Sequence, residues 1–164
     1  MKKYYFFDDL VLMLSKNAKT ELEEAILTSI HWIGEAQNDF NHTDAFVKYW
    51  IAIETFFSIS NEDITDSLAK GISTLLTAGG YRFVKINEAT KIYKRTKNLY
   101  IKRNKIIHRG IYEDISPTEL SEICKYAVWC VLTCLGFRSS GCKTLKQIKN
   151  EVNRNYKVLL RIIK

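Results

Sequence analysis

The chain has 164 residues, of which 46% are apolar and 12% aromatic, and its formal net charge is +7. This length is typical of a single domain, and the aromatic content excludes a disordered chain. No stretch approaches about 18 uncharged apolar residues, so we expect no membrane-spanning segment; without an export signal we expect a cytoplasmic protein.

One proline and seven glycines predict an all-α fold, because strand-rich domains need more turn residues. Periodicity and capping residues predict a bundle of five to six helices. In chain order the helical segments span about 20–36, 43–59, 61–78, 83–109, 117–136 and 143–164. Residues 1–15 fit either a strand or a short helix. We therefore divide the chain into an N-terminal segment, 1–19, which could be the remnant of a longer protein, and a helical domain, 20–164.

Local signals set several of these helix ends. Thr20 and Glu23 match a capping box at the start of the first segment. Asn61 is the predicted N-cap of the third segment, which ends before Gly79. Gly110 is the predicted stop of the fourth.

The four cysteines fall late in the chain, at positions 124, 130, 134 and 142, and no CxxC pair exists. This spacing favours buried, reduced thiols over a zinc site or disulfides, so we expect no metal and no cofactor. We interpret His31 as a helix-face residue and His42 as a loop residue, rather than as metal ligands.

Positive charge is concentrated in two segments. Residues 82–110 hold ten basic residues and one acid, giving +9, and residues 141–164 hold seven and one, giving +6. The rest of the chain carries −8. Two basic helices on an acidic body predict an anionic partner such as RNA, although a basic helix face can also simply be solvated.

The fourth segment is amphipathic at a helical period of 100° per residue. Its apolar face combines two rows, listed here: Ile86, Tyr93, Tyr100 and Ile107, and Ile92, Leu99 and Ile106. On the opposite side we expect water-exposed cations: Lys91, Arg95, Lys102, Lys105 and Arg109.

Arg103 is the exception, because it projects from within the apolar face. A guanidinium there is costly unless it is paired or lines a cavity. Asn104 and His108 share the edge of that face, so the three polar residues converge at the end of the helix. The structural explanation is a buried arginine that pairs with a core acid, for which Glu54 on the second helix is the candidate, and a histidine that caps the helix.

The segment Arg103-Asn104-Lys105-Ile106-Ile107-His108 reads R-N-x-x-x-H and resembles the signature of HEPN domains. Upstream, residues 31–36 (HWIGEA) and 49–54 (YWIAIE) resemble segments of the Apea-like HEPN branch. The resemblance covers about residues 20–164 and implies a dimeric helical bundle.

The family resemblance also implies a function. Many HEPN domains are metal-independent endoribonucleases of toxin–antitoxin, abortive-infection and CRISPR systems, in which the two motifs of a dimer build one site. Carried over, Arg103 and His108 form the catalytic pair and Asn104 orients it. RNA, a second copy of the chain, and an antitoxin or sensor domain are the expected partners. The alternative is a HEPN-like module that binds nucleic acid or a partner protein, or only dimerises, without cleaving.

Charge alone suggests four residues that could contact the RNA backbone: Arg95, Lys102, Lys105 and Arg109.

Overall fold

The structure, a computed structural model, describes residues 6–57, 63–109 and 114–162. The predicted N-cap Asn61 and the predicted stop Gly110 lie outside these residues. The described residues form seven α-helices and one short 3₁₀ turn, Ile86–Glu88, with no strand among them. The helices are α1 (Phe6–Ser15), α2 (Glu21–Gln37), α3 (His42–Phe57), α4 (Ile64–Ala78), α5 (Ala89–Arg109), α6 (Pro117–Ser139) and α7 (Leu145–Ile162).

The predicted all-α bundle is therefore confirmed, with one described helix more than expected. The additional helix is α1, which forms from the ambiguous N-terminal segment. The capping box of Thr20 and Glu23 is present at the start of α2, and Gly79 caps the end of α4. The N-cap of α4 is Asp63, whose side chain accepts hydrogen bonds from the backbone amides of Thr65 and Asp66.

Three of the predicted boundaries are wrong, the first being the start of α4, where Asp63 and not Asn61 is the N-cap. The long basic helix begins at Ala89 instead of residue 83, because Arg82 adopts a left-handed backbone with φ of 47° and Lys85 is extended. Residues 81–85 therefore form a turn, and Phe83 is pinned there by parallel stacking on Trp129, with ring centres 5.2 Å apart. Helix α6 continues through Gly136 to Ser139.

The core brings all seven helices together. Helix α6 packs against α2, α3 and α4, while α5 and α7 both pack against α4. The largest fully buried side chains are on α3: Phe46, Trp50 and Phe56. This packing holds α3 and α5 close enough for side chains near their C-terminal ends to meet.

Helix α1 is attached by an ionic cluster. Arg138 at the end of α6 donates to Asp9 at 3.0 Å and to Glu23 at 2.9 Å. Lys16 also donates to Glu23, at 2.5 Å. Met13 adds an apolar contact, since its side chain is fully buried in the core.

Helix α6 is, within the described ranges, the one helix long and apolar enough to cross a membrane by length and composition. Glu122 and Lys125 interrupt its apolar residues, so our expectation that the chain has no membrane-spanning segment stays a prediction. A core helix of a bundle passes the same test, and α6 buries Ile123, Ala127 and Val131 among its neighbours.

The four cysteines are free thiols. Cys130 and Cys134 are fully buried on α6, and burial raises the pKa of both thiols. Cys124 and Cys142 are half-buried, so the predicted burial holds completely for only two of the four.

Candidate functional site

Helix α5 is packed into the bundle along most of its length, and its C-terminal end is exposed to solvent. Ile92, Thr96, Leu99 and Tyr100 are buried. Beyond them Ile107 is 46% exposed, so the predicted apolar face does not reach the end of the helix. The last two turns, which carry the R-N-x-x-x-H residues, therefore lie at the surface of the bundle.

Arg103 lies where this buried part of α5 gives way to the exposed end. Its Nη2 donates to Glu54 Oε2 at 2.8 Å, and its Nη1 donates to Asn104 Oδ1 at 3.2 Å. The guanidinium carbon is 5.4 Å from the centre of the Tyr100 ring, a cation–π contact. Nε is buried and has no hydrogen-bond partner in the described part of the chain. With 13% of its side chain exposed, Arg103 is a nearly buried cation.

Glu54, on the last turn of α3, is the predicted partner, and the contact with Arg103 is present. Burial raises the pKa of this carboxyl above its usual value of 4.5. The charge of Arg103 and hydrogen bonds from Tyr100 and Arg103 act in the opposite direction without overcoming burial. His108 also acts to lower the pKa of Glu54, although less than Arg103 does, so His108 lies within electrostatic reach of the pair.

The contact between Arg103 and Glu54 does not by itself decide between the two interpretations of the sequence. It is the ion pair of the structural explanation, and it also holds a guanidinium at the end of a basic helix. This pair differs from ordinary surface pairs in its low exposure, since only 13% of the Arg103 side chain and 18% of the Glu54 side chain are exposed.

Asn104 and His108 differ from Arg103 in exposure. Asn104 is half-buried and accepts the hydrogen bond from Arg103. His108 is exposed one turn later. Five residues of helix separate the directions of Arg103 and His108 by about 140°. Within one copy, the cation is therefore held against α3 while the imidazole faces solvent.

Two of the four expected RNA-backbone residues are engaged within the protein instead. Arg95 Nε donates to Glu122 at 2.8 Å. Lys102 donates to Glu119 at 3.0 Å and to the carbonyl of Asp114 at 2.6 Å, and 20% of its side chain is exposed. The prediction of water-exposed cations was wrong for these two, because α6 and the residues preceding it lie beside α5 and supply the acids.

The other two expected RNA-backbone residues lie in the last two turns of α5. Arg109 is exposed and Lys105 is half-buried, and both remain candidates for contact with an anion. The histidines outside the motif are not grouped with them. His31 is exposed on α2, and His42 is the first residue of α3, where we had expected a loop.

Sequence reasoning missed the role of Tyr100. We had assigned it to the apolar face, yet its hydroxyl bonds to Glu54 and its ring lies over Arg103. Burial and the charge of Glu54 raise the pKa of Tyr100 to about 12. Trp50 supports the ring from α3 in an edge contact, with centres 5.0 Å apart. The available signal was the spacing, since Tyr100 is one turn before Arg103 on the same face.

We compared the chain with known proteins by sequence and by structure. No protein-family model, no curated protein and no solved structure gives a significant match. The geometry around Arg103 and the resemblance of the R-N-x-x-x-H segment to HEPN domains are therefore the features that bear on function.

Proposed function

We propose that this chain is a metal-independent endoribonuclease of the HEPN type, acting as a homodimer in prokaryotic defence or in a toxin–antitoxin system. The observation that carries the proposal is the Arg103 environment. A guanidinium is held on three sides by Glu54, Asn104 and Tyr100, at the end of a basic helix and one turn from an exposed histidine. The R-N-x-x-x-H resemblance supplies the reaction class.

The reaction is attack by a ribose 2′-oxygen on the adjacent phosphorus. The 2′-oxygen forms a bond to phosphorus, the 5′-oxygen leaves, and the products are a 2′,3′-cyclic phosphate and a 5′-hydroxyl. His108 accepts the proton of the 2′-hydroxyl and then donates a proton to the leaving 5′-oxygen, because an imidazole changes charge near neutral pH. Arg103 stabilises the negative charge that develops on the phosphate oxygens, for which a guanidinium offers a fixed fork of donors.

A second copy completes the site in this proposal. Arg103 and His108 diverge on one helix, so a symmetry-related α5 brings the histidine of one copy toward the arginine of the other. Ile107, 46% exposed beside the motif, supplies apolar area for such a contact. Lys105 and Arg109 lie next to the motif, where they would contact the RNA backbone.

The test is cleavage of single-stranded RNA by purified protein in the presence of EDTA. His108→Ala and Arg103→Ala should each abolish cleavage, whereas the matched control His31→Ala, which removes an exposed histidine of α2, should cleave like the wild type. Analysis of the product ends should show a cyclic phosphate. Intact RNA across varied substrates, or equal loss in the His31 control, contradicts the proposal.

A second function is favoured by one specific observation. Glu54 already binds one edge of the Arg103 guanidinium, and the Arg103 side chain is only 13% exposed, as expected of a structural ion pair. A HEPN-like module that binds nucleic acid or a partner without cleaving fits that feature. It predicts RNA retention that His108→Ala leaves unchanged and that weakens as salt rises.

A further inference from the structure

Helix α1 presents an apolar stripe to solvent. Phe7, Val11 and Leu14 recur at i, i+4 and i+7 and are 75%, 48% and 64% exposed. The other side of α1 is occupied, because Met13 is buried in the core and Asp9 is bound by Arg138. One side of the helix is therefore attached to its own bundle, and the other side contacts none of the described residues closely enough to be buried.

An apolar groove lies elsewhere on the same molecule, between the C-terminal half of α7 and the turn that follows α4. It has a volume of about 720 Å³. Its apolar lining consists of Ala78, Phe83, Val84, Ile86, Val158 and Leu159. Val158 is 48% exposed, so this lining is open to a partner. Phe83 is held in place by its stacking on Trp129.

The charges of the two surfaces are opposite. Among the described residues, the charged ones that line the groove are Arg82 and Lys85, and none is an acid. The described part of α1 carries Asp8 and Asp9 and no basic residue, and Asp8 is exposed. Within the part of the chain that the structure describes, an acidic amphipathic helix thus has an exposed apolar side, and the same molecule exposes a basic apolar groove.

We propose that α1 of one copy docks into this groove of a second copy of the chain. The contact is separate from the Arg103 surface and does not depend on cleavage, so it goes beyond the proposed function. It buries the Phe7, Val11 and Leu14 stripe against the groove and brings Asp8 toward Arg82 and Lys85. Two copies that exchange α1 reciprocally form a closed pair, whereas a one-way contact forms a ring or a filament.

A second copy fits the groove better than RNA does. An RNA backbone would satisfy Arg82 and Lys85 but would leave the aliphatic residues Val84, Ile86 and Val158 in contact with water. Helix α1 offers its apolar stripe to the lining and Asp8 to the two cations.

The experiment is sedimentation velocity over a range of concentrations, on nuclease-treated protein. The helix variant is Val11→Glu with Leu14→Glu, and the groove variant is Lys85→Glu with Val158→Glu. All four positions are exposed, so both variants should fold, which circular dichroism checks. Matched controls are Leu12→Glu, 57% exposed beside the stripe, and Leu160→Glu, 46% exposed outside the groove.

The series is measured on an Ile107→Glu background, which removes the proposed catalytic contact. On that background the otherwise unchanged chain and both controls should self-associate, and each double variant should weaken this association at least tenfold. A mixture of the two double variants should form a one-to-one complex, because each retains the surface that the other lacks. A wild type that stays monomeric overturns the proposal, and so does association that both double variants retain. Association that disappears on nuclease treatment assigns the groove to RNA and also overturns it.

The Ile107→Glu variant separates this docking from the proposed catalytic dimer. Loss of association in Ile107→Glu, with retention in both double variants when these are made without Ile107→Glu, contradicts the α1 docking and leaves the ribonuclease proposal standing. The reverse result, together with RNA that stays intact, contradicts the ribonuclease and supports the docking.

Discussion

Two carboxylates in this bundle are each paired with an arginine from a distant part of the chain, in contrasting surroundings. Glu23 is 2% exposed and accepts from Lys16 and Arg138, at 2.5 and 2.9 Å. The Thr20 amide adds a third hydrogen bond at 3.0 Å. Burial acts to raise the pKa of Glu23, but these three bonds outweigh it and lower the pKa to about 2. The Glu54 carboxyl has the opposite balance, because burial prevails and its pKa is raised.

Glu23 belongs to an ionic site that stabilises the fold. At Glu54 the favourable contacts do not outweigh the cost of burying the carboxylate charge. The Glu23 cluster connects α1, α2 and α6, and every partner contributes to holding the carboxylate charged. Beside Glu54, the nearly buried cation of Arg103 has an Nε with no hydrogen-bond partner among the described residues, whereas buried polar groups are mostly paired. Incomplete pairing of this kind marks a candidate functional position.

The largest expected contrast is between the two arginines. Arg138→Met should lower the free energy of unfolding by about 3–5 kcal/mol, because it leaves Glu23 and Asp9 short of a partner at a buried site. Arg103→Met should cost no more than about 2 kcal/mol, since Glu54 can take up a proton. Urea unfolding of both variants measures the difference. Equal costs would show that the two sites are energetically alike.

The two glutamates give the next contrast. Glu23→Gln should cost about 3 kcal/mol at neutral pH, from a pKa that folding lowers from 4.5 to about 2. Glu54→Gln should cost under about 1 kcal/mol, because the amide oxygen still accepts from Arg103 and the buried negative charge is removed. Urea midpoints compared with the wild type test this, and a larger loss at Glu54 would reverse our assignment of roles.

The pH dependence of stability should have opposite signs at the two sites. The Glu23 contribution is complete above its unfolded pKa of 4.5 and is lost as pH falls toward about 2. Glu54 has a raised pKa, so its contribution is greatest below 4.5 and falls as pH rises through its folded pKa. Unfolding measured across acid pH should therefore show a shallower acid loss in Glu23→Gln than in Glu54→Gln. Parallel curves for the two variants would contradict these shifts.

A single hydroxyl beside Glu54 gives the last contrast, at Tyr100. Tyr100→Phe removes the hydroxyl bond to Glu54 and keeps the ring over Arg103, so we expect a loss of about 1 kcal/mol. The pKa of Glu54, followed by carbon NMR, should rise further. The matched control is Tyr126→Phe, which removes the 2.8 Å bond from Tyr126 to Glu122 and should leave the Glu54 pKa unchanged.

Local sequence signals predicted the helices well, because caps and periodicity act within one or two turns. The capping box at Thr20 is present, and Arg103 is nearly buried, as its place in the apolar face of α5 predicts. Glu54 was found by the same reasoning, since it borders the apolar face of α3. The start of α5 was missed because the left-handed backbone of Arg82 has no residue signature that separates it from a helical arginine.

Long-range contacts were beyond the reach of this reasoning. The Arg138 bond to Glu23 joins residues 115 positions apart, and nothing local to either residue indicates it. Arg95 and Lys102 were predicted to face water because a helical wheel does not show that Glu122 and Glu119 of α6 lie opposite. The HEPN family, the catalytic roles and the dimer stay predictions.

The rate at which the two fully buried thiols of α6, Cys130 and Cys134, react with an alkylating reagent should report the unfolding of the bundle. Alkylating reagents attack the thiolate, and burial both hides Cys130 and Cys134 and disfavours that ionised form. These two sulfurs should be labelled only when α6 separates from its neighbours, whereas the half-buried Cys124 and Cys142 sample smaller openings. The order in which the four thiols are labelled would then record how the bundle comes apart.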